Sequence, residues 1–156
     1  MKQHHERKRY QIRRQRLLHH PLARAQISGN RWNDSISGGG GNDLLTGLGG
    51  NDTLDGGSGN DTVKGGVGND SINGGAGNDA IRGDDGNDNI TAGNGQDTVS
   101  GGNGNQFIRE SDGLGELLLN AGSGNIQLAT AGAGNVLSAD AAVDIIGTAV
   151  SVTVGL

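Results

Sequence analysis

The chain has 156 residues and a net charge of −5, and 32 of its residues are glycine, whereas 31% are hydrophobic and only 2% aromatic. This composition excludes a conventional globular core and is typical of disordered or low-complexity sequence unless the glycines are periodic. The lack of cysteine excludes disulfide bonds and thiolate metal sites, and no segment approaches the roughly 18 apolar residues of a membrane span.

Residues 1–28 form a basic N-terminal arm. Lysine and arginine are concentrated within residues 1–31, where Glu6 is the only acidic residue. A run of like charges is typical of a solvated tail, so we expect the arm to be disordered or to form a short helix that ends at Pro21. Some basic arms bind nucleic acid, but no second feature supports this here, and we expect no nucleic-acid partner.

A nine-residue repeat follows at residues 29–109. An aspartate occupies the sixth position of eight successive units, and an aliphatic residue occupies the eighth position of all nine. Two residue patterns that keep the same nine-residue register over successive units predict a repeat architecture rather than disorder. The units read GNRWNDSIS, GGGGNDLLT, GLGGNDTLD, GGSGNDTVK, GGVGNDSIN, GGAGNDAIR, GDDGNDNIT, AGNGQDTVS and GGNGNQFIR.

Each unit combines a turn with a short strand. Glycines at the first, second and fourth positions permit positive φ and a close approach of neighbouring backbones. The last three positions alternate polar, apolar, polar, which predicts a minimal strand with one inward residue. Two units close one coil, and successive coils stack as parallel strands about 4.8 Å apart. The predicted fold is therefore all-β, a parallel β-roll or β-solenoid.

Stacking places one aspartate per coil on each of two edges, where the turns of alternate units meet. Carboxylates about 5 Å apart repel each other by roughly 3 kcal/mol at an effective dielectric constant near 20, so each edge requires a cation. The units contain neither Cys nor His, and oxygen-only sites of irregular shape favour Ca²⁺ over Mg²⁺. If the aspartates served only as turn residues, this repulsion would remain. One edge carries Asp34, Asp52, Asp70 and Asp88, and the other carries Asp43, Asp61, Asp79 and Asp97.

The units resemble the RTX, or haemolysin-type, calcium-binding nonapeptide G-G-x-G-x-D-x-U-x, in which U is a large aliphatic residue. The resemblance implies about six calcium ions, each between two stacked turns of one edge, bound by aspartates and glycine carbonyls. Five residues depart from the motif, namely Trp32, Leu48, Asp84, Ala92 and Gln106. Because of these departures, calcium sites that involve Asp34 or Gln106 are the least expected. Besides the eight aspartates, the candidate ligands are Gly39, Gly41, Gly57, Gly59, Gly66, Gly68, Gly75 and Gly77.

Residues 110–156 lose the nine-residue register. The segments AGSGNIQLA and AGAGNVLSA keep glycine turns without aspartate, which favours metal-free coils of the same solenoid, and the final VSVTVGL alternates like one further strand. This region would act as a cap or, as the RTX resemblance implies, as the C-terminal export signal for a type I secretion system. The sequence leaves both roles open.

The predicted function is calcium binding by a secreted, extracellular β-roll that folds when the ion binds. We expect no enzymatic activity and no small-molecule substrate, because the repeat region lacks histidine and can build neither H-E-x-x-H nor a Ser-His-Asp set. Two alternatives stay open. The chain could be the calcium-binding accessory region of a secreted protease, lipase or epimerase, or a structural or adhesive surface module, although its outward ninth positions are of mixed type.

Overall fold

A computed structural model describes residues 10–11, 20–21, 24–110, 119–120, 125–130, 145–146 and 149–154. Most of the basic arm and much of the predicted C-terminal region lie outside the described residues. Within the arm, the structure describes the short strands Tyr10–Gln11, His20–Pro21 and Gln26–Ser28, and none of these is helical. Among the described residues, no helix is long and apolar enough to cross a membrane.

The described residues form β-strands joined by tight turns. The strands of the repeat region are β3 (Gln26–Ser28), β4 (Ser35–Gly40), β5 (Leu44–Gly49), β6 (Thr53–Ser58), β7 (Thr62–Val67), β8 (Ser71–Ala76), β9 (Ala80–Asp85), β10 (Asn89–Asn94), β11 (Thr98–Asn103) and β12 (Gln106–Glu110). The flanking strands are β1 (Tyr10–Gln11), β2 (His20–Pro21), β13 (Leu119–Asn120), β14 (Asn125–Thr130), β15 (Ile145–Ile146) and β16 (Ala149–Val154).

The strands assemble into two parallel sheets that face each other across the coil. The odd-numbered strands β1 to β11 form a six-stranded sheet, the even-numbered strands β2 to β16 form an eight-stranded sheet, and β13 pairs with β15. Each residue lies beside the residue of the next coil 18 positions later, as Leu54 lies beside Ile72 and Val63 beside Ile81. The prediction of a parallel β-roll with two units per coil is confirmed.

The strands are longer than the sequence predicted. In β7, Val63 and Gly65 are buried and the residues on either side of each point outward, so the strand continues through the two glycines that begin the next unit. The prediction that a turn begins at the first glycine is therefore wrong, because this glycine is an inward strand position. The turn is confined to the fourth, fifth and sixth positions of the unit.

The core is a single row of aliphatic side chains on each inner face. One aliphatic residue per strand is supplied by the eighth position, and Ala92 adds a small side chain at a first position. The buried residues are Ile27, Ile36, Leu45, Leu54, Val63, Ile72, Ile81, Ile90, Ala92, Val99 and Ile108. A core this narrow leaves much of the stability of the stack to the turns at its two edges.

The stack extends beyond both ends of the nine-residue repeat. At the N-terminal side, β3 pairs with β5 and buries Ile27, so the ordered coils begin inside the segment assigned to the basic arm. At the C-terminal side, β14 pairs with β12, and β16 pairs with β14, so that the even-numbered sheet continues past Arg109.

Candidate metal site

The sixth-position aspartates lie in the turns with their side chains directed inward. All eight, from Asp34 to Asp97, are only 2–5% exposed. Each immediately precedes a strand, and all except Asp34, which follows Trp32 and Asn33, come two residues after a fourth-position glycine. The repeat therefore buries one carboxylate in each of eight successive turns, where an unpaired charge carries a large desolvation cost.

One carboxylate oxygen of each aspartate from Asp43 to Asp97 joins its coil to the preceding coil. The backbone N–H of Asp43 donates to Asp61 Oδ1 at 2.7 Å, and that of Asp61 donates to Asp79 Oδ1 at 2.8 Å. On the opposite edge, the N–H of Asp52 donates to Asp70 Oδ1 at 2.8 Å. Aspartates of alternate units thus follow one another along the same edge, as the sequence predicted.

The second carboxylate oxygen, Oδ2, is buried along each edge. Among the described residues, Oδ2 of Asp52, Asp61, Asp70, Asp79 and Asp88 is buried and has no hydrogen-bond partner. Buried carboxylate oxygens are normally paired, so the repeated unpaired Oδ2 at one structural position is suited to a positively charged ligand. A hard cation suits this oxygen.

The first-position glycine forms a wall of the space around this oxygen. A Cβ built on Gly65 would collide with Asp70 Oδ2 and lie 2.7 Å from the carbonyl oxygen of Gly83 in the next coil. A Cβ on Gly56 would lie 2.6 Å from Asp61 Oδ2. A glycine at the first position therefore leaves room for Oδ2 that any larger side chain would occupy. The φ of these glycines is not positive, so space and not backbone conformation explains the glycine. The sequence analysis assigned ligands at the second and fourth glycines and missed this role of the first.

Burial raises the pKa of the carboxyls in the absence of a cation. The pKa of Asp52, Asp79 and Asp88 rises from 3.8 to about 6, chiefly through desolvation, and neighbouring aspartates of the same edge raise it further. The pKa of Asp61 and Asp70 is raised for the same leading reason. The hydrogen bond that each carboxylate accepts from the preceding coil acts in the opposite direction and is outweighed.

The predicted glycine ligands have the backbone conformation that the motif requires. All eight have positive φ, from 91° at Gly39 to 133° at Gly68. Their carbonyls face the next coil: a Cβ on Gly75 would meet the carbonyl oxygen of Gly57, and one on Gly77 would meet that of Gly59. The predicted set is Gly39, Gly41, Gly57, Gly59, Gly66, Gly68, Gly75 and Gly77.

The donor set of each edge consists of carboxylate and backbone oxygens. Among the described residues, no group of three His, Cys, Asp or Glu side chains could hold a metal ion. A cation at an edge therefore needs backbone carbonyls in addition to carboxylates. Such a mixed oxygen cage fits Ca²⁺, which accepts six to eight oxygens in flexible geometry.

Three units carry a residue other than glycine at the second position, namely Asn30, Leu48 and Asp84. Asp34 Oδ2 accepts a hydrogen bond from the backbone N–H of Asn30 at 2.7 Å, so the first unit lacks the unused oxygen of later units. Leu48 and Asp84 keep the positive φ of the glycines that they replace, at 83° and 73°. The first unit is therefore the poorest candidate for a metal site among the units that carry an aspartate.

A second ladder, formed by fifth-position residues, was missed by the sequence analysis. The backbone N–H of Asn60 donates to Asn42 Oδ1, and that of Asn78 donates to Asn60 Oδ1, both at 2.9 Å. The opposite edge repeats this arrangement from Asn33 to Asn51 at 2.8 Å. The signal was present in the sequence, because asparagine recurs at the fifth position of nearly every unit, but the motif treats that position as variable.

Comparison with sequence families gave a match to the RTX calcium-binding nonapeptide repeat. It matches in four overlapping copies, at residues 26–54, 46–81, 55–90 and 74–107, which together cover more than half of the chain. The first copy begins at Gln26, the first residue of β3. Comparisons with curated proteins and with solved structures gave no match.

Proposed function

We propose that the chain, which belongs to the RTX calcium-binding nonapeptide-repeat family, is a secreted module that folds in a calcium-dependent way. In this proposal the β-roll forms when Ca²⁺ binds along both edges. The roll itself is a structural calcium-binding module and not a catalytic fold. RTX repeats are typically found in secreted proteins, which supports an extracellular location.

The observation that carries the proposal is the unused Oδ2 atom of the buried aspartates. Five turns each bury a carboxylate whose pKa is raised by desolvation. Without a cation, the folded roll must either bury negative charge or take up protons. Bound calcium would supply positive charge at each of these oxygens.

Adjacent aspartates of one edge would share each ion. Asp61 and Asp79 are joined through the Asp61 N–H and lie in successive coils, so an ion between them would contact both turns. The carbonyls of Gly57 and Gly59 belong to the unit that contains Asp61, and those of Gly75 and Gly77 to the unit that contains Asp79. Three such steps on each edge would give about six ions.

Several weak sites suffice to control folding. Extracellular calcium modules bind with Kd values of about 10⁻⁴–10⁻³ M. An ion at 10 mM that binds only the folded state with a Kd of about 1 mM contributes roughly 1.4 kcal/mol per site. Six sites together would contribute roughly 8 kcal/mol, which is comparable to the whole stability of a typical domain. The chain would therefore stay open at cytoplasmic calcium concentrations and fold outside the cell.

A calcium titration followed by far-ultraviolet circular dichroism tests this proposal. We expect little β-signal in metal-free buffer, a steep rise with millimolar Ca²⁺, and a much weaker response to Mg²⁺. The double variant Asp61→Asn/Asp79→Asn should shift the calcium midpoint upward several-fold. The matched control Asp55→Asn/Asp85→Asn removes the same charge from the outer face and should leave the midpoint nearly unchanged.

Two outcomes would contradict the proposal. A complete β-signal in metal-free buffer would show that folding does not need the ion, and equal shifts in both double variants would show that net charge alone is responsible. Export is tested separately: deletion of residues 110–156 should abolish release through a type I secretion system if this region carries the signal. Normal release of the truncated chain would leave the region a role as a cap only.

A further inference from the structure

Gln106 lies at the point where the aspartate ladder of one edge ends. It occupies the sixth position of its unit, 18 residues after Asp88, and its side chain is 2% exposed. A Cβ on Gly101, the first residue of the same unit, would lie 2.5 Å from Gln106 Cγ. The Gln106 side chain therefore enters the same space that the carboxylates occupy in earlier units.

The amide group of Gln106 bridges two coils through backbone oxygens. Its Nε2 donates to the carbonyl oxygen of Gly86 at 2.9 Å and to that of Asn103 at 3.3 Å. Gly86 is the fourth-position glycine of the preceding coil on this edge, so its carbonyl is of the class proposed to bind calcium. Gln106 Oε1 is buried and has no hydrogen-bond partner among the described residues.

We propose that the Gln106 amide replaces a calcium ion at the last step of this edge. The inference rests on the proposed function, because it assigns to the side chain the place that an ion would take between Asp88 and the next turn. An NH₂ group directs partial positive charge at the carbonyl oxygens, and a glutamine adds no negative charge to the ladder. Glutamine is one methylene longer than aspartate, which lets its nitrogen reach the oxygen of the preceding coil.

The glutamine that stands at position 106 in place of an aspartate gives this edge an end without a metal site. A carboxylate at position 106 would extend the ladder by one negative charge and require a further ion, whereas the NH₂ group of Gln106 finds its partners in the carbonyls of Gly86 and Asn103. The coil that contains β12 can then stack on the preceding coil on this edge without an ion at that step. Gln106 thereby sets the number of ions that the edge takes.

Calcium stoichiometry of the full-length chain tests the proposal. The variant Gln106→Asp should bind one ion more per chain than the wild type, measured by equilibrium dialysis at saturating Ca²⁺ and by isothermal titration calorimetry. In metal-free buffer containing an osmolyte, the same variant should be less folded than the wild type. The control Asn105→Asp adds the same charge at an exposed neighbouring position and should bind no additional ion.

A reciprocal variant covers the case in which Gln106→Asp fails to fold. Asp88→Gln moves the amide one coil earlier, where it should reach the Gly68 carbonyl, and should make the metal-free chain more folded than Asp88→Asn, whose shorter amide cannot. Unchanged stoichiometry in a folded Gln106→Asp chain, a gain in Asn105→Asp as well, or equal folding of the two Asp88 variants would overturn the inference. A wild type that binds no calcium would instead overturn the proposed function.

Discussion

The raised carboxyl pKa values predict that the metal-free roll folds better in mild acid. For Asp52, Asp79 and Asp88 the pKa in the folded state is about 6, against 3.8 for the free group. Between these values the folded state binds more protons than the unfolded state, so the free energy of unfolding falls as pH rises from about 4 to 6. Calcium should act in the opposite direction, because protons compete with the ion for the same oxygens.

The size of the effect follows from the shift. Two pKa units correspond to about 3 kcal/mol per carboxyl. Because the coil is thin and water lies close to every turn, screening reduces this value, and we expect roughly 1 kcal/mol from each of the three carboxyls. About 3 kcal/mol in total changes the ratio of folded to unfolded chain by about 100-fold.

The assay is circular dichroism in metal-free buffer between pH 4.5 and 7.5, with trimethylamine N-oxide added to bring the chain into its folding transition. The folded fraction should rise as the pH falls, and the calcium midpoint should rise as the pH falls below about 6. The triple variant Asp52→Asn/Asp79→Asn/Asp88→Asn should lose most of this pH dependence. The single control Asp85→Asn changes an exposed carboxylate and should keep it. A metal-free roll that becomes more stable toward neutral pH would refute the argument.

Three further predictions concern single positions. Asp61→Ala should weaken two calcium sites on its own edge while the opposite edge is less affected, which amide hydrogen exchange in the turns can resolve; equal loss of protection on both edges would contradict it. Asn60→Ala removes the acceptor of the Asn78 N–H and should cost about 1 kcal/mol in calcium-saturated urea unfolding, more than Asn73→Ala on the outer face. Leu48→Gly should stabilise the roll by roughly 0.5–1 kcal/mol, because it relieves a positive φ; a lower unfolding midpoint would show that the exposed leucine contributes contacts.

The sequence was sufficient to predict the coil, its two edges and its inward aliphatic row. These features follow from periodicity alone, because a strand residue such as Val63 must recur on the same face once per unit and an edge residue such as Asp61 once per coil. The strand length could not be predicted in this way. Glycine is typical of turns, and only the structure, in which Gly65 is buried within β7, shows that this glycine is an inward strand position.

The role of Gln106 could not be predicted from the sequence either. In the sequence, a glutamine in place of an aspartate indicates only that a calcium ligand is lost. Nothing in the repeat predicts that the glutamine has a role of its own. Its contact with the Gly86 carbonyl depends on side-chain length and on the separation of two coils. Such a contact between residues 20 positions apart becomes visible only when the coils are stacked.

The two ladders of each edge explain why the response to calcium should be cooperative. Asn60 accepts a hydrogen bond from the following coil, whereas its neighbour Asp61 accepts one from the preceding coil, so each turn is tied in both directions. The exposed asparagine is neutral and leaves no buried charge behind. The buried aspartate keeps one unused oxygen, and in the proposed function this oxygen is the group through which the stacking of coils would depend on a cation. Because every coil contacts only its neighbours, an ion that neutralises one turn also favours the ordering of the next, and folding should therefore advance through the array as one steep transition in calcium concentration.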